Sequence, residues 1–175
     1  MDAPLLVVVT GMPSSGKTTI AESLAARLEL PLVAKDDLKE SLFETLGPGD
    51  VAWSGQLGAA AYDLIFGLAR TMLSSRVSLI VEANFFTDQA TRFASLPEHR
   101  VVQIHCSAPL ELLVERYAAR DRHPGHHDDA KVDELPARYE SGAHAPLGLD
   151  GDVISLETSA PVDVDALAER IRALL

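Results

Sequence analysis

Residues 5–19 read LLVVVTGMPSSGKTT and predict a strand, a glycine-rich loop and the start of a helix, in that order. Residues 5–10 form an unbroken apolar and β-branched run, which is typical of a strand buried on both faces of a parallel sheet. From Lys17 onward, apolar residues recur at helical spacing until Pro31 stops the helix. Between these elements, residues 11–18 match the pattern G-x-x-x-x-G-K-[ST] in the setting that this pattern requires.

The loop predicts a site for the phosphates of a nucleotide. Its glycines let successive backbone N–H groups face phosphate oxygens, and the following helix adds the positive end of its dipole. Lys17 is then placed to reach the β and γ phosphates, and the Thr18 hydroxyl to bind Mg²⁺. The alternative is an ordinary glycine turn before a helix. The predicted nucleotide-binding residues of the loop are Gly11, Pro13, Ser14, Ser15, Gly16, Lys17, Thr18 and Thr19.

The rest of the chain alternates short apolar runs with longer helical patterns. Further strands are predicted at residues 32–34, 77–81, 101–106 and 153–156. Helices are predicted at residues 36–46, 51–74, 87–95, 109–120 and 164–174, with one more ending at residue 140. Such alternation predicts an α/β fold with one parallel sheet and right-handed crossovers. One apolar face of the 51–74 helix is expected to carry Leu57, Leu64, Ile65, Leu68 and Met72.

Composition and charge fit a single globular domain over residues 1–175. The chain is 47% hydrophobic and 23% charged, far from the composition of disordered proteins. A net charge of -11 would repel a phosphodiester backbone, so no nucleic-acid partner is expected. Cys106 is the single cysteine, which excludes an intramolecular disulfide. The N-terminal apolar run is too short for a signal peptide or membrane span, which favours a cytoplasmic location without a membrane partner. A monomer or homodimer is expected.

The loop alone leaves the reaction open, because kinases, GTPases, motors and sulfotransferases all share it. A GTPase is expected to carry D-x-x-G after its third strand and N-K-x-D later, and the sequence has neither string. The residues that follow the third predicted strand are Glu82, Ala83, Asn84 and Phe85. The lack of both motifs therefore disfavours a GTPase.

Asp36 is the candidate general base of such a reaction. It follows the second predicted strand, whose carboxyl end faces the cleft beside the phosphate loop in an open parallel sheet. A carboxylate there can accept the proton of an acceptor hydroxyl, and Lys39, one helical turn later, can hold the acceptor. The alternative is that Asp36, or its neighbour Asp37, only caps a helix.

Three arginines form a second basic group. Arg116 and Arg120 share one helix face, and Arg122 follows directly. Arginines at a flexible edge can neutralise the γ-phosphate during transfer, although a solvated helix face is the alternative. The nearby His123, His126 and His127 suggest zinc, but adjacent histidines point apart on regular backbone and no cysteine joins them, so lid residues are favoured.

With these segments placed, the chain resembles the P-loop kinases of the group that contains chloramphenicol phosphotransferase and polynucleotide 5′-kinase. The resemblance implies a three-layer P-loop NTPase fold, with a five-stranded parallel sheet in the order 2-3-1-4-5 and an arginine-rich lid at about residues 116–145. It implies that Asp36 is the general base, that Lys39 contacts the acceptor, and that residues 158–161 lie near the nucleotide base. Relatives often have arginine at the Lys39 position, and lysine lacks the bidentate fork that suits a phosphate-bearing acceptor.

These observations predict a kinase that uses Mg²⁺ and ATP or GTP to phosphorylate a hydroxyl of an antibiotic, nucleoside or sugar-like molecule. The predicted catalytic residues are Lys17, Asp36 and Arg120, and Glu82 and Asn84 are expected on the acceptor side of the cleft. A nucleotide-binding switch without an acceptor is the main alternative. A toxin-like kinase that acts on a nucleotide sugar is a third interpretation.

Overall fold

The computed structural model describes residues 3–120, 123, 126 and 132–175. The described strands are β1 Leu5–Gly11, β2 Leu32–Ala34, β3 Leu79–Glu82, β4 Arg100–Ser107 and β5 Asp152–Glu157. The described helices are α1 Lys17–Leu28, α2 Lys35–Leu46, α3 Val51–Ser74, α4 Ala90–Ala94, α5 Leu110–Ala119, α6 Leu135–Glu140 and α7 Val164–Arg172. Short 3-10 turns, Thr87–Gln89 and Val132–Glu134, precede α4 and α6.

The five strands form one parallel sheet in the order β2-β3-β1-β4-β5. This is the predicted fold class and strand order, and both are confirmed. β1 lies at the centre, with all seven of its residues buried. Because neighbouring strands are parallel, the carboxyl ends of β1, β2 and β3 meet at the same edge of the sheet, next to the phosphate loop.

The alternation of side chains along β1 divides the core into two layers. Leu5, Val7 and Val9 pack with α1 and α7, whereas Leu6 and Val8 pack with α3 and α4. A smaller cluster joins Met12 of the loop to α5 and to Leu135 of α6. The helices on both faces of the sheet therefore give a three-layer domain that holds the loop after β1 rigidly.

Several predicted details are wrong. Helix α2 begins at Lys35 after the extended Ala34, and no side chain caps it, so neither Asp36 nor Asp37 is the cap. Strand β3 begins at Leu79, two residues later than predicted, and extends to Glu82. On α3, Leu64 and Leu68 are 41% and 37% exposed, whereas Phe66 and Ala69 are buried in their place.

Helix α3 is the longest helix, yet none of the described helices has both the length and the apolarity needed to cross a bilayer. The predicted lid, residues 116–145, contains the end of α5, a 3-10 turn and α6. Arg122 and His127 lie outside the described residues.

Candidate functional site

The loop between β1 and α1 has the backbone geometry that its glycines predict. Gly11 has a φ of 148°, and a Cβ atom there would lie 2.1 Å from the carbonyl oxygen of Cys106. Gly16 ends the loop in the left-handed region, with a φ of 78°, directly before α1. Larger residues at either position would therefore be strained. The loop curls back on itself, since the Ser15 amide donates to the Met12 carbonyl at 3.2 Å.

Beside this loop lies a cleft of about 350 Å³, here named the phosphate-loop cleft. Ser14, Gly16, Lys17, Thr18 and Thr19 line it from the loop and α1. Asp36, Asp37, Glu40, Glu82, Arg116 and Arg120 complete its walls. A cavity that combines a lysine, two arginines and the amino end of a helix is suited to an anion such as a polyphosphate.

Glu82, at the end of β3 and predicted to lie on the acceptor side, lines the phosphate-loop cleft. Its Oε1 is 3.9 Å from Lys17 Nζ, and the residue is only 1% exposed. Burial raises the pKa of Glu82 to about 7, against the opposing effect of the Lys17 ammonium. Lys17 also donates to the Met12 carbonyl at 3.4 Å. The buried carboxylate thus faces the lysine that the phosphates are expected to contact.

A second cleft, of about 470 Å³, lies between α2 and α3 and is here named the α2–α3 cleft. Its α3 wall is made of small residues, Ser54, Gly55, Gly58 and Ala59, followed by Tyr62. Lys39 forms the α2 wall, is 3% exposed and donates to Ser54 Oγ at 2.7 Å. Tyr62 donates to the Asn84 carbonyl at 2.9 Å, which fixes the segment after β3. Asn84, Phe86, Asp88, Gln89 and Arg138 close the cleft.

The two clefts meet at three side chains. Among the described residues, Lys17, Asp36 and Arg120 line both cavities. Lys17 comes from α1, Asp36 from the first turn of α2 and Arg120 from the end of α5. The structure thus brings the three predicted catalytic residues together at the junction of a phosphate-sized cleft and a second polar cleft.

Asp36 lies within a row of charged groups. Its Oδ1 is 3.4 Å from Lys35 Nζ and 3.9 Å from His126 Nδ1. The neighbouring Asp37 lines the phosphate-loop cleft alone. Burial, followed by the nearby Glu40 and Asp36 carboxylates, raises the pKa of Asp37. The two aspartates therefore differ in which cleft they reach.

The arginines of α5 take different positions. Arg116 donates to the carbonyl of Thr158 at 2.8 Å and contacts the Thr158 hydroxyl at 3.4 Å. Together with Thr158, Ala160 and Ile20 it lines a third cleft of about 400 Å³ that opens beside Ser14, Gly16 and Thr19. Arg120 instead lies 4.0 Å above the Tyr117 ring. Arg116 is thus fixed to the loop after β5, whereas Arg120 lies where the phosphate-loop cleft and the α2–α3 cleft meet.

The oxygen donors of the phosphate-loop cleft fit a hard divalent cation. The exposed Thr18 side chain and the Glu82 carboxylate line the same cavity, and Mg²⁺ prefers such oxygen ligands. No cluster of three or more His, Cys, Asp or Glu side chains suited to a metal occurs in the described part of the chain. Of the predicted histidine group, His123 packs edge-on against Phe43 and His126 contacts carboxylates of α2.

Some residues of the site have no signal in the sequence. Arg138 of α6 and Tyr62 of α3 reach the α2–α3 cleft from elements far apart in the chain. The only available hint is the run of small residues on α3, where glycines lower helix propensity without an evident local reason. His126 belongs to the predicted histidine group, but its contact with Glu40 could not be predicted because it depends on tertiary packing.

Comparison with known proteins gives the family. The sequence profile of the AAA domain family matches residues 6–141, so the chain belongs to this family. The matched domain is of the P-loop kinase-like type. The predicted membership of the P-loop kinase group is confirmed.

Two relatives are similar over almost their whole length. A candidate kinase of known structure from Chloroflexus aurantiacus j-10-fl is 38% identical, with a TM-score of 0.92 over 99% of this chain and 100% of that one. A cytidylate kinase from Ignicoccus hospitalis is 27% identical over 97% of this chain and 98% of its own.

Other relatives are longer. An uncharacterised protein from Mycobacterium tuberculosis H37Rv is 28% identical over 126 residues, which make up 66% of this chain and 25% of that protein. The chain thus spans about a quarter of the length of the mycobacterial relatives that it matches.

Proposed function

We propose that this protein transfers the γ-phosphate of ATP or GTP to a hydroxyl of a small acceptor, such as an antibiotic, a nucleoside or a sugar-like molecule. The observation that carries the proposal is the junction of the two clefts at Lys17, Asp36 and Arg120. A phosphoryl group that moves from one cleft to the other must pass this junction. The three side chains there would supply a phosphate-binding lysine, a general base and a second cation.

The nucleotide would occupy the loop side of the site. Lys17, with the loop residues that line the phosphate-loop cleft, would hold the β and γ phosphates. Thr18, with Glu82 nearby, would hold Mg²⁺, which when bound neutralises charge on the phosphate oxygens. The base would extend into the third cleft, whose walls include the apolar Ile20, Ala160 and Val162. Arg116 lines both of these cavities and would bind the phosphates between them.

The acceptor would occupy the α2–α3 cleft. Its walls offer hydrogen-bonding groups on several sides: Lys39 and Ser54 on one, Asn84 and Gln89 on another. The small residues of α3 leave room for a ring against the helix. A cleft of about 470 Å³ is within the range typical of small-molecule sites. Lys39 and Asn84, both predicted acceptor residues, lie here, whereas we assign Glu82 to the nucleotide side.

In the proposed transfer, the acceptor hydroxyl approaches the γ-phosphate in line with the leaving β-phosphate oxygen. Asp36 takes the hydroxyl proton as the new O–P bond forms. Lys17 and Arg120 stabilise the charge that spreads over the moving group. The names of two relatives, a cytidylate kinase and a candidate kinase, support phosphoryl transfer in general and leave the acceptor to be identified.

The test is an acceptor screen combined with two matched variants. Purified protein with Mg²⁺ and ATP is incubated with aminoglycosides, phenicols, nucleosides, nucleoside monophosphates, sugars and sugar acids, and acceptor-dependent ADP release is measured. Asp36→Asn keeps the side-chain shape but cannot take a proton, so kcat should fall by roughly a hundredfold or more while nucleotide affinity persists. Asp37→Asn is the matched control, because its side chain lines only the phosphate-loop cleft.

The outcomes separate two classes of protein. Loss of turnover in Asp36→Asn alone supports the transfer reaction. Nucleotide binding without turnover on any acceptor, or equal small effects of the two substitutions, would instead favour a nucleotide-dependent switch.

A further inference from the structure

His126 lies on the wall of the α2–α3 cleft, and the transfer described above does not use it. Its imidazole is buried, with 4% of the residue exposed. Nε2 is 2.8 Å from Glu40 Oε1, and Nδ1 is 3.9 Å from Asp36 Oδ1. Asp36 and Glu40 are four residues apart on α2, so both carboxylates lie on the same side of the helix and the imidazole spans them.

The contact with Glu40 determines which ring nitrogen carries the proton. An ionised carboxylate only accepts hydrogen bonds, so Nε2–H donates to Glu40. In the neutral ring the other nitrogen, Nδ1, then presents a lone pair toward the Asp36 carboxylate. The contact between Nδ1 and the Asp36 carboxylate becomes attractive once a proton lies on either group.

Lys35 adds a reason for the proton to move away from Asp36. Its ammonium is 3.4 Å from Asp36 Oδ1, the same oxygen that faces His126. A nearby cation favours the ionised form of a carboxylate. A proton received by Asp36 is therefore better placed on His126, where the Glu40 carboxylate stabilises the imidazolium. The row Lys35, Asp36, His126 and Glu40 then alternates in charge from positive to negative.

We infer that His126 and Glu40 form a proton relay behind Asp36, in which His126 acts as a positioning residue and second proton acceptor for the transfer. The inference rests on the proposed function. As the acceptor oxygen bonds to the γ-phosphorus and the bond to the β-phosphate oxygen breaks, the hydroxyl proton moves to Asp36. It then passes from Asp36 to Nδ1 of His126, which leaves Asp36 ionised and the imidazolium paired with Glu40. Release of the proton to solvent restores the neutral ring.

Other ionisable groups also surround His126, and they enter any pH profile. Besides Lys35 and Asp36, the described ionisable side chains that line the same cleft are Lys17, Lys39, Tyr62, Asp88, Tyr117, Arg120 and Arg138. For that reason the decisive comparison is between variants at one pH.

The test uses His126→Gln and Glu40→Gln, with His123→Gln as the matched control. Glutamine at position 126 can still donate to Glu40 but cannot take a proton, so the contact is kept and the relay is lost. His123 lies three residues earlier, packs edge-on against Phe43 and does not line the α2–α3 cleft. Turnover is measured with the acceptor identified in the screen, and MgATP hydrolysis, with water as acceptor, provides a readout that needs no acceptor.

The expected result is a kcat lowered about tenfold or more in His126→Gln and several-fold in Glu40→Gln, with nucleotide Kd and acceptor KM unchanged. His123→Gln should retain wild-type kcat. In an Asp36→Asn background, His126→Gln should have no further effect, since the relay acts only through Asp36. In the acceptor-free protein, imidazole ¹⁵N shifts should show the proton of His126 on Nε2.

Three results would overturn the relay: independent, multiplicative losses from Asp36→Asn and His126→Gln, an equal loss in His123→Gln, or a proton on Nδ1 in place of Nε2. Failure of the proposed function looks different. In that case no acceptor would support turnover, or Asp36→Asn itself would leave turnover intact, whatever the state of His126.

Discussion

At the scale of single residues, Glu82 is a buried acid in the wall of the phosphate-loop cleft. Its carboxylate is buried at the end of β3, and burial raises its pKa to about 7 although Lys17 Nζ lies 3.9 Å away. Among the described residues, no group donates a hydrogen bond to Glu82 Oε2. A buried carboxylate with this environment is costly to ionise, so the ionised form of Glu82 is expected to lower the stability of the folded chain.

The prediction concerns the stability of the folded chain between pH 4.5 and about 8. Because the folded state holds the Glu82 proton up to about pH 7 and the unfolded state loses it near 4.5, the free energy of unfolding should fall as pH rises through this window. The resulting loss of stability is about 3 kcal/mol and is complete above pH 7. Glu82→Gln removes it, so the variant should gain stability over the wild type as pH rises. Urea unfolding at pH 5 and pH 8 measures the difference.

The same variant has a second expected outcome. Without a carboxylate near Lys17 and the proposed Mg²⁺ position, its nucleotide turnover should fall even as its stability at pH 8 increases. A Glu82→Gln protein whose stability relative to wild type is the same at both pH values would show that Glu82 is ionised throughout.

At the scale of elements, helix α5 presents two arginines with separate expected roles. Arg116 is held by the Thr158 carbonyl and lines the phosphate-loop and third clefts, whereas Arg120 lies at the junction with the α2–α3 cleft. Arg116→Ala should therefore weaken nucleotide binding, and Arg120→Ala should lower kcat with little change in nucleotide Kd. Calorimetric nucleotide binding and steady-state kinetics on both variants check the division. An Arg120→Ala protein with altered Kd alone would move Arg120 to a binding role.

Helix α3 provides a test of acceptor size. A Cβ at Gly58 would meet no atom within 4 Å, so neither packing nor backbone strain requires glycine there. Gly58→Leu should fill part of the α2–α3 cleft and lower kcat/KM for the acceptor at least tenfold, with nucleotide Kd preserved. Helix propensity makes the substitution neutral or stabilising by up to about 1 kcal/mol.

Gly67→Leu is the matched control for this change. Gly67 lies on the same helix, and a Cβ there would also meet no neighbouring atom within 4 Å, but Gly67 is not part of the cleft lining. Equal losses of acceptor turnover in the two variants would place the acceptor elsewhere.

The predictability of these elements from sequence depends on how local each cause is. The loop, α1 and α3 have their predicted ends, because glycine geometry, helical spacing and Pro31 act within a few residues. The start of α2 differs because the extended Ala34 of β2 leads directly into the helix, so that Asp36 and Asp37 already lie inside its first turn. The position of Asp36 beside the phosphate loop follows from parallel strands that end together, because Asp36 comes two residues after the end of β2. By contrast, the positions of Arg120, Arg138 and His126 depend on packing between distant segments, which no periodic pattern in the sequence encodes.

At the scale of the whole molecule, the chain combines a net charge of -11 with a concentration of cations at one place. Lys17, Arg116 and Arg120 all line the phosphate-loop cleft. The overall charge repels polyanions, whereas the local field favours a compact anion in the site. A nucleotide is therefore expected to bind and a nucleic acid is not, which a titration with ATP and with single-stranded RNA at equal ionic strength measures.

The last prediction concerns the stability of the folded domain when nucleotide and metal are varied. A ligand at about 100 times its Kd stabilises the folded state by about 2.7 kcal/mol, which for a chain of this size raises Tm by roughly 5–10 °C. MgATP should produce such a rise in the wild type. Lys17→Ala should show much less, because it lacks the cation nearest the phosphates. EDTA should reduce the rise, since the cation in question is bound by Thr18 and phosphate oxygens. A zinc-specific chelator should leave Tm unchanged with and without nucleotide. If that chelator unfolded the protein or removed the nucleotide effect, residues 123–127 would have to be interpreted as a metal site, and the contact of His126 with Glu40 would belong to a different centre.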